Sequence, residues 1–122
     1  MSRRQEQVNH AIRREISDLL IRHTRDPRIK GIITVTEVKV SPDLTHARVL
    51  VSAMGTEDEK SEVFAGLQAA TGFLRRELGN RLRMRFTPEL SFERDDSLAR
   101  GDHLLRLIDQ IAKDDSDPSN RN

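Results

Sequence analysis

IITVTEVKV, SPDLT and HARVLVSAM, read continuously as residues 32–54, decide the fold. The first run is rich in β-branched side chains, which suit a pleated, half-buried surface. Strict alternation puts Thr34, Thr36, Val38 and Val40 on one face and Glu37 and Lys39 on the other. Ser41-Pro42-Asp43 carries turn chemistry, since proline presets φ and an Asp side chain bonds nearby backbone. In the second run Ala47, Val49, Val51 and Ala53 alternate with Arg48, Leu50 and Ser52. So short a connection joins antiparallel strands, because a parallel pair needs a crossover.

Outward from this hairpin the period changes to that of a helix. Upstream, Val8, Ile12, Ile16, Leu19 and Leu20 recur at helical spacing and predict a helix over residues 2–24. Ser2 and Gln5 have capping-box spacing at its start, and Asp26 before Pro27 closes it. Downstream, Gly55 breaks the second strand and Thr56-Glu57-Asp58-Glu59 opens a second helical stretch with another capping box. Its stripe is Val63, Leu67, Ala70, Leu74, Leu78 and Leu82. That stripe runs through Gly72, so the pattern admits one kinked helix or two nearly continuous ones. Gly72 is either the kink or a small residue for close helix packing. Thr87-Pro88 stops the helix, and residues 89–94 read as a third strand with Leu90 and Phe92 on one face. Asp95-Asp96-Ser97 supplies N-cap chemistry for a last helix carrying Leu98, Leu104, Leu105, Leu107, Ile108 and Ile111. From Asp114 onward the chain is acidic and polar without an apolar anchor, and disorder is expected. The reading is a single α+β domain over residues 1–113, ordered α-β-β-α-α-β-α, with a tail over 114–122.

Composition narrows the function. With four Phe and no Tyr or Trp among 122 residues, the core is aliphatic. The absence of cysteine excludes disulfides, thiolate metal sites and cysteine nucleophiles. MSRRQEQVNH lacks the apolar stretch of a secretory signal, and no run approaches a membrane span, so a soluble cytoplasmic protein is expected. His10, His23, His46 and His103 form no metal-ligand spacing. Asp95-Asp96 and Glu57-Asp58-Glu59 sit where helix caps sit, and no nucleophile stands at a defined distance from a base. The sequence therefore points to a binding protein without a cofactor or metal, not to an enzyme.

The net charge of +1 conceals segregation. Residues 1–30 hold eight Arg/Lys against four Asp/Glu, and residues 72–87 hold five Arg against one Glu, a net of +4 in each. The rest then sums to −7. Two basic segments on an acidic remainder suit an oriented encounter with a polyanion. On a helical wheel of about 100° per residue, Leu74, Leu78 and Leu82 face the core while Arg75, Arg76 and Arg83 face out. Gly79 lies among these arginines as a bare patch that a sugar-phosphate chain could approach, flanked by Arg81 and Arg85. Arg28, Lys30, Arg3 and Arg4 are expected to form a second patch. All four phenylalanines, Phe64, Phe73, Phe86 and Phe92, are placed in the core, so recognition is expected to rest on phosphates and shape and not on base stacking.

Several landmarks in order resemble the bacterial ribosome-binding factor A family: Asp26-Pro27-Arg28, Val38-x-Val40-Ser41-x-Asp43-Leu44, Ala47-x-Val49, Ala70-Thr71-Gly72, Arg75, Leu78-Gly79, Arg83, Pro88-Glu89-Leu90 and Asp95-x-Ser97. Each is weak alone, and their order and spacing over residues 3–112 are specific. The resemblance implies a type II K-homology-like fold, α-β-β-α-α-β, with the C-terminal helix as an addition. It implies a monomer that binds the 30S subunit and its 16S rRNA and assists late 5′-end maturation. Growth in the cold and an assembly GTPase as partner belong to the same implication. Ala70-Thr71-Gly72 stands where ordinary K-homology domains carry Gly-x-x-Gly, so their nucleic-acid groove does not transfer. The competing class is a protein-interaction adaptor that docks through its acidic strands or final helix without touching RNA.

Overall fold

The computed structural model describes residues 1–22 and 26–97, together with Leu105, Ile108, Asp109 and Ile111. The elements are α1 (Arg3–Arg22), β1 (Ile33–Val40), β2 (His46–Ala53), α2 (Glu57–Ala69), α3 (Thr71–Leu82) and β3 (Glu89–Arg94). The expected end of α1 at residues 23–24, most of the final helix, and the tail lie outside the described residues.

Both capping boxes form. Ser2 N–H donates to Gln5 Oε1 at 2.9 Å and Gln5 N–H donates to Ser2 Oγ at 3.1 Å. The same reciprocal pair joins Thr56 and Glu59 at 3.0 and 3.1 Å. The sheet order is β1-β2-β3. β1 and β2 run antiparallel, whereas β3 pairs parallel to β2, with α2 and α3 as the crossover. Ile12, Ile16, Leu19, Leu67, Leu74, Leu78, Val49 and Val51 are fully buried in one cluster between the helices and one face of the sheet. The opposite face carries a cross-strand ion pair, Arg48 to Glu93 at 2.7 Å, and a contact of His46 Nε2 with Glu89 at 3.3 Å.

Strict alternation fails in β1. The register steps from Val35↔Val51 to Glu37↔Leu50, so Thr36 is an extra, bulged residue. The bulge changes the parity, and Val35 is buried with Val38 and Val40 while Thr34 is exposed. Thr36 Oγ1 bonds instead to Leu50 O at 3.2 Å and to Asp95 Oδ2 at 2.6 Å. Burying an aliphatic face of three valines outweighs regular pairing at one residue whose hydroxyl has other partners.

The second helical stretch is two helices, and the break is at Ala70, which ends α2 and starts α3 with φ −85° and ψ −2°. Gly72 is neither the kink nor a close-packing residue. It lies in the first turn of α3, and a β-carbon there would meet nothing within 4 Å. Beside the break, Thr71 Oγ1 donates to Leu67 O at 3.0 Å, a back-bond that bends helices. Gly66 of α2 does pack tightly, since a β-carbon there would stand 2.8 Å from Ile29 Cγ1 and 3.1 Å from Arg28 Cβ.

At the hairpin turn, Asp43 Oδ1 accepts from Ser41 Oγ at 2.7 Å and from Thr45 Oγ1 at 2.8 Å. These bonds, Ser41's first, lower its pKa from the ordinary 3.8 to about 2. The folded carboxyl therefore stabilises the turn above about pH 4 and loses that contribution as pH falls toward 2. A carboxyl-carbon NMR titration should find Asp43 at about 2, and S41A should move it upward toward 3.8. In urea denaturation, G66A should cost about 1–3 kcal/mol through overpacking, whereas G72A should stabilise by about 0.5–1 kcal/mol.

Candidate nucleic-acid interface

Helix α3 ends at Leu82 because Arg83 turns left-handed, at φ 51° and ψ 42°. Met84 N–H closes the cap on Gly79 O at 3.2 Å. The chain then doubles back over Gly79, where a β-carbon would stand 2.5 Å from Thr87 Oγ1. Gly79 is thus not the bare patch expected from the helical wheel, because the protein's own Thr87 occupies the approach. Arg75 fastens the returning segment: Nη2 donates to Thr87 O at 2.8 Å and Nε to Pro88 O at 3.2 Å. Carbonyl partners hold the guanidinium without cancelling its charge.

This return builds a cleft of about 650 Å³. Arg4 and Val8 of α1, Leu44 to His46 of the hairpin, Arg75 of α3, and Arg85, Phe86 and Thr87 line it. A neighbouring concavity of about 450 Å³ adds Gly72 and Arg76 and shares Arg75, Arg85 and Phe86. The bare backbone patch is therefore at Gly72. Arginines from three separate stretches converge here. Among the described residues, Arg4, Arg76 and Arg85 have no carboxylate partner. Two acids share the lining, Asp43, which stays ionised while accepting from the Ser41 and Thr45 hydroxyls, and Glu89, 3.3 Å from His46 Nε2.

Other expected members are elsewhere. Arg81 Nη1 reaches Asp18 Oδ2 at 2.7 Å and Glu15 Oε2 at 3.1 Å, which ties α3 to α1 and raises the Arg81 pKa, chiefly through Asp18. Its place on the wheel suggested a flank of the outer face, yet two carboxylates of α1 lie opposite. Arg28 grips Asp26 through Nη2 at 2.7 Å and Nε at 3.0 Å, lowering the Asp26 pKa to about 2. It sits beside Gly66 of α2. The second patch joining Arg28 and Lys30 to Arg3 and Arg4 does not form, because the 20 residues of α1, about 30 Å of helix, stand between them. Arg4 joins the α3 group instead. Arg83 is exposed but, as the left-handed cap beyond the last turn of α3, it lines neither concavity with Arg75 and Arg76.

Phe86 is the residue that sequence reasoning misplaced. It is 79% exposed, whereas Phe64, Phe73 and Phe92 pack against the core. The stripe Leu78, Leu82 extrapolates inward to residue 86 only if the helix continues, and the left-handed turn at Arg83 ends it. Local spacing carried no signal for this, because in an extended run Phe86 would share the face of Pro88 and Leu90, both of which are buried.

R81A should lower the thermal midpoint, whereas R76E should leave it nearly unchanged. R83G should raise stability by about 1 kcal/mol by relieving a left-handed non-glycine residue. Thermal and urea unfolding of the three variants check this.

A sequence model of the ribosome-binding factor A family matches residues 4–108. The chain is 47% identical over 119 residues to ribosome-binding factor A of Dictyoglomus thermophilum, covering 98% of this chain and 99% of that protein. The crystal structure of ribosome-binding factor A from Thermus thermophilus superposes with a TM-score of 0.65 at 27% identity, covering 74% of this chain and 93% of that one. Thermus thermophilus coordinates fitted into the cryo-EM map of a 30S–RbfA complex match with a TM-score of 0.57 at 28% identity, covering 80% and 97%. The α-β-β-α-α-β order, with its one parallel strand pair, is the K-homology-like arrangement of these relatives. On sequence and fold together, the chain belongs to the ribosome-binding factor A family.

Proposed function

We propose that this protein binds the 30S ribosomal subunit through the arginine cleft and assists late maturation of 16S rRNA, including its 5′ end. One observation carries the reading: Arg4, Arg75 and Arg85, from α1, α3 and the 83–88 return, line a single cleft, and Arg76 adjoins it. A relative from the same family has been fitted into a 30S complex, which supplies the partner class. Guanidinium groups match phosphate oxygens bidentately, and four without internal carboxylates give an electrostatic footprint of the right sign. The protein acts as a cytoplasmic monomer that leaves the mature particle, with an assembly GTPase aiding release. In this reading the arginines position RNA and catalyse nothing, and the assistance matters most in the cold, where RNA rearranges slowly.

Co-sedimentation with 30S particles tests it. R4E/R76E/R85E should abolish binding while leaving the thermal midpoint near that of the wild type. Each lost phosphate contact should reduce the salt slope of log affinity by roughly 0.7–0.9. Binding that survives the triple variant, or that barely changes with salt, points to an adaptor that docks on protein and overturns the assignment.

A further inference from the structure

Resting on the RNA-binding reading above, we infer that Phe86, backed by Arg85, is a stacking platform for one unpaired base of the bound RNA. A phenylalanine that is 79% exposed forgoes the burial that the other three phenylalanines obtain. Phe86 is not a loose side chain on a loose loop. The segment from Arg83 to Pro88 is pinned at its start by the Met84 N–H bond to Gly79 O at 3.2 Å. Thr87 seats against Gly79, Arg75 holds the Thr87 and Pro88 carbonyls, and Pro88 is fully buried. Glu89 N–H then enters the sheet region through Thr45 O at 2.9 Å. The ring is therefore held outward by a braced turn.

Arg85 Cζ lies over the ring, 5.6 Å from its centroid. A guanidinium at that distance attracts the ring electrostatically without covering it, and an exposure of 79% leaves the ring open to a base. The ring borders both concavities, with Arg4 and Arg75 in one and Arg75, Arg76 and Gly72 in the other. A π-face surrounded by cations that lack carboxylate partners suits a nucleotide better than an apolar peptide: the base stacks while its phosphates meet the arginines. A paired base within a helix has both faces covered by its neighbours, so the ligand is a base splayed from a loop, bulge or end. Single-strand readers of the sheet type place aromatics on the sheet. Here the outer sheet face carries the Arg48–Glu93 ion pair and the His46–Glu89 contact, and the one exposed ring of the four is on the return after α3.

The test uses the full chain and two labelled RNAs of equal length, a hairpin with 2-aminopurine in its unpaired loop and a blunt duplex. The wild type should prefer the hairpin and alter the 2-aminopurine emission on binding. F86A should weaken hairpin binding about 5- to 150-fold, the range of one lost base-stacking contact, with no change in salt slope. F86W should restore it, and duplex binding should be indifferent to all three. R76E should instead weaken both RNAs and reduce the salt slope by roughly 0.7–0.9. If F86A binds the hairpin as the wild type does while R76E does not, the platform is overturned and the phosphate reading stands. If F86A loses 30S co-sedimentation but keeps hairpin affinity, the ring contacts a ribosomal protein, which also overturns the platform. If neither RNA binds the wild type in a salt-dependent way, both readings fail together.

Discussion

Thr87 lies so close to Gly79 that any β-carbon at Gly79 would stand 2.5 Å from its hydroxyl, and the functional end of the molecule follows from that seat. A side chain there would force the Thr87 hydroxyl out of its seat. The close approach lets the chain reverse within a few residues of Leu82 and enter β3 parallel to β2. It also brings the Thr87 and Pro88 carbonyls within reach of Arg75. The bare backbone that seemed suited to a phosphate is used internally, and its consequence is a rigid turn that carries Arg85 and Phe86 outward.

Charge segregation becomes specific once the arginines are sorted by partner. Arg48, Arg81 and Arg94 each meet a carboxylate on another element, and Arg28 meets one two residues away. At each of these a phosphate would have to compete with a carboxylate already in place. Arg4, Arg76 and Arg85 have no such competitor among the described residues, and Arg75 is held by neutral carbonyls. A net charge of +1 is therefore compatible with a cluster of arginines free of carboxylate partners, because many of the acids serve helix caps and internal ion pairs elsewhere. The distinction is geometric. Arg76 and Arg81 look alike in the sequence and differ only in that Glu15 and Asp18 of α1 stand opposite the latter.

Much of the fold was legible because its signals are local. The capping boxes at Ser2 and Thr56, the valines of β2 and the leucines of α3 each declare themselves within a few residues. The misses needed information from across the molecule. Nothing near Thr36 announces a bulge, since the reason for it is the pairing of Val35 with Val51 and the presence of Asp95 in reach of the hydroxyl. The helix break sits at Ala70 and not at Gly72, since glycine permits bending but the Thr71 hydroxyl bond to Leu67 O acts at the break. Arg4 was assigned to the site yet grouped with Arg28, because closeness in sequence stood in for closeness in space along a helix about 30 Å long.

The end of α3 shows how one local conformation serves the site at a cost to the fold. Arginine is a poor choice for a left-handed position, where glycine is favoured by about 1 kcal/mol or more. A glycine at 83 would close the cap equally well and would leave Leu82, Thr87 and Pro88 where they are. What it would remove is a cation at the tip of the turn that already carries Arg85 and Phe86. Arginine at 83 thus sets a charge at the exposed tip of the turn in a conformation that disfavours it. A similar cost appears at Phe86, an aromatic ring left in water beside cations when three others of its kind found the core. Two residues of one short turn each forgo stability in a way that enriches the surface in what an RNA backbone and base would contact.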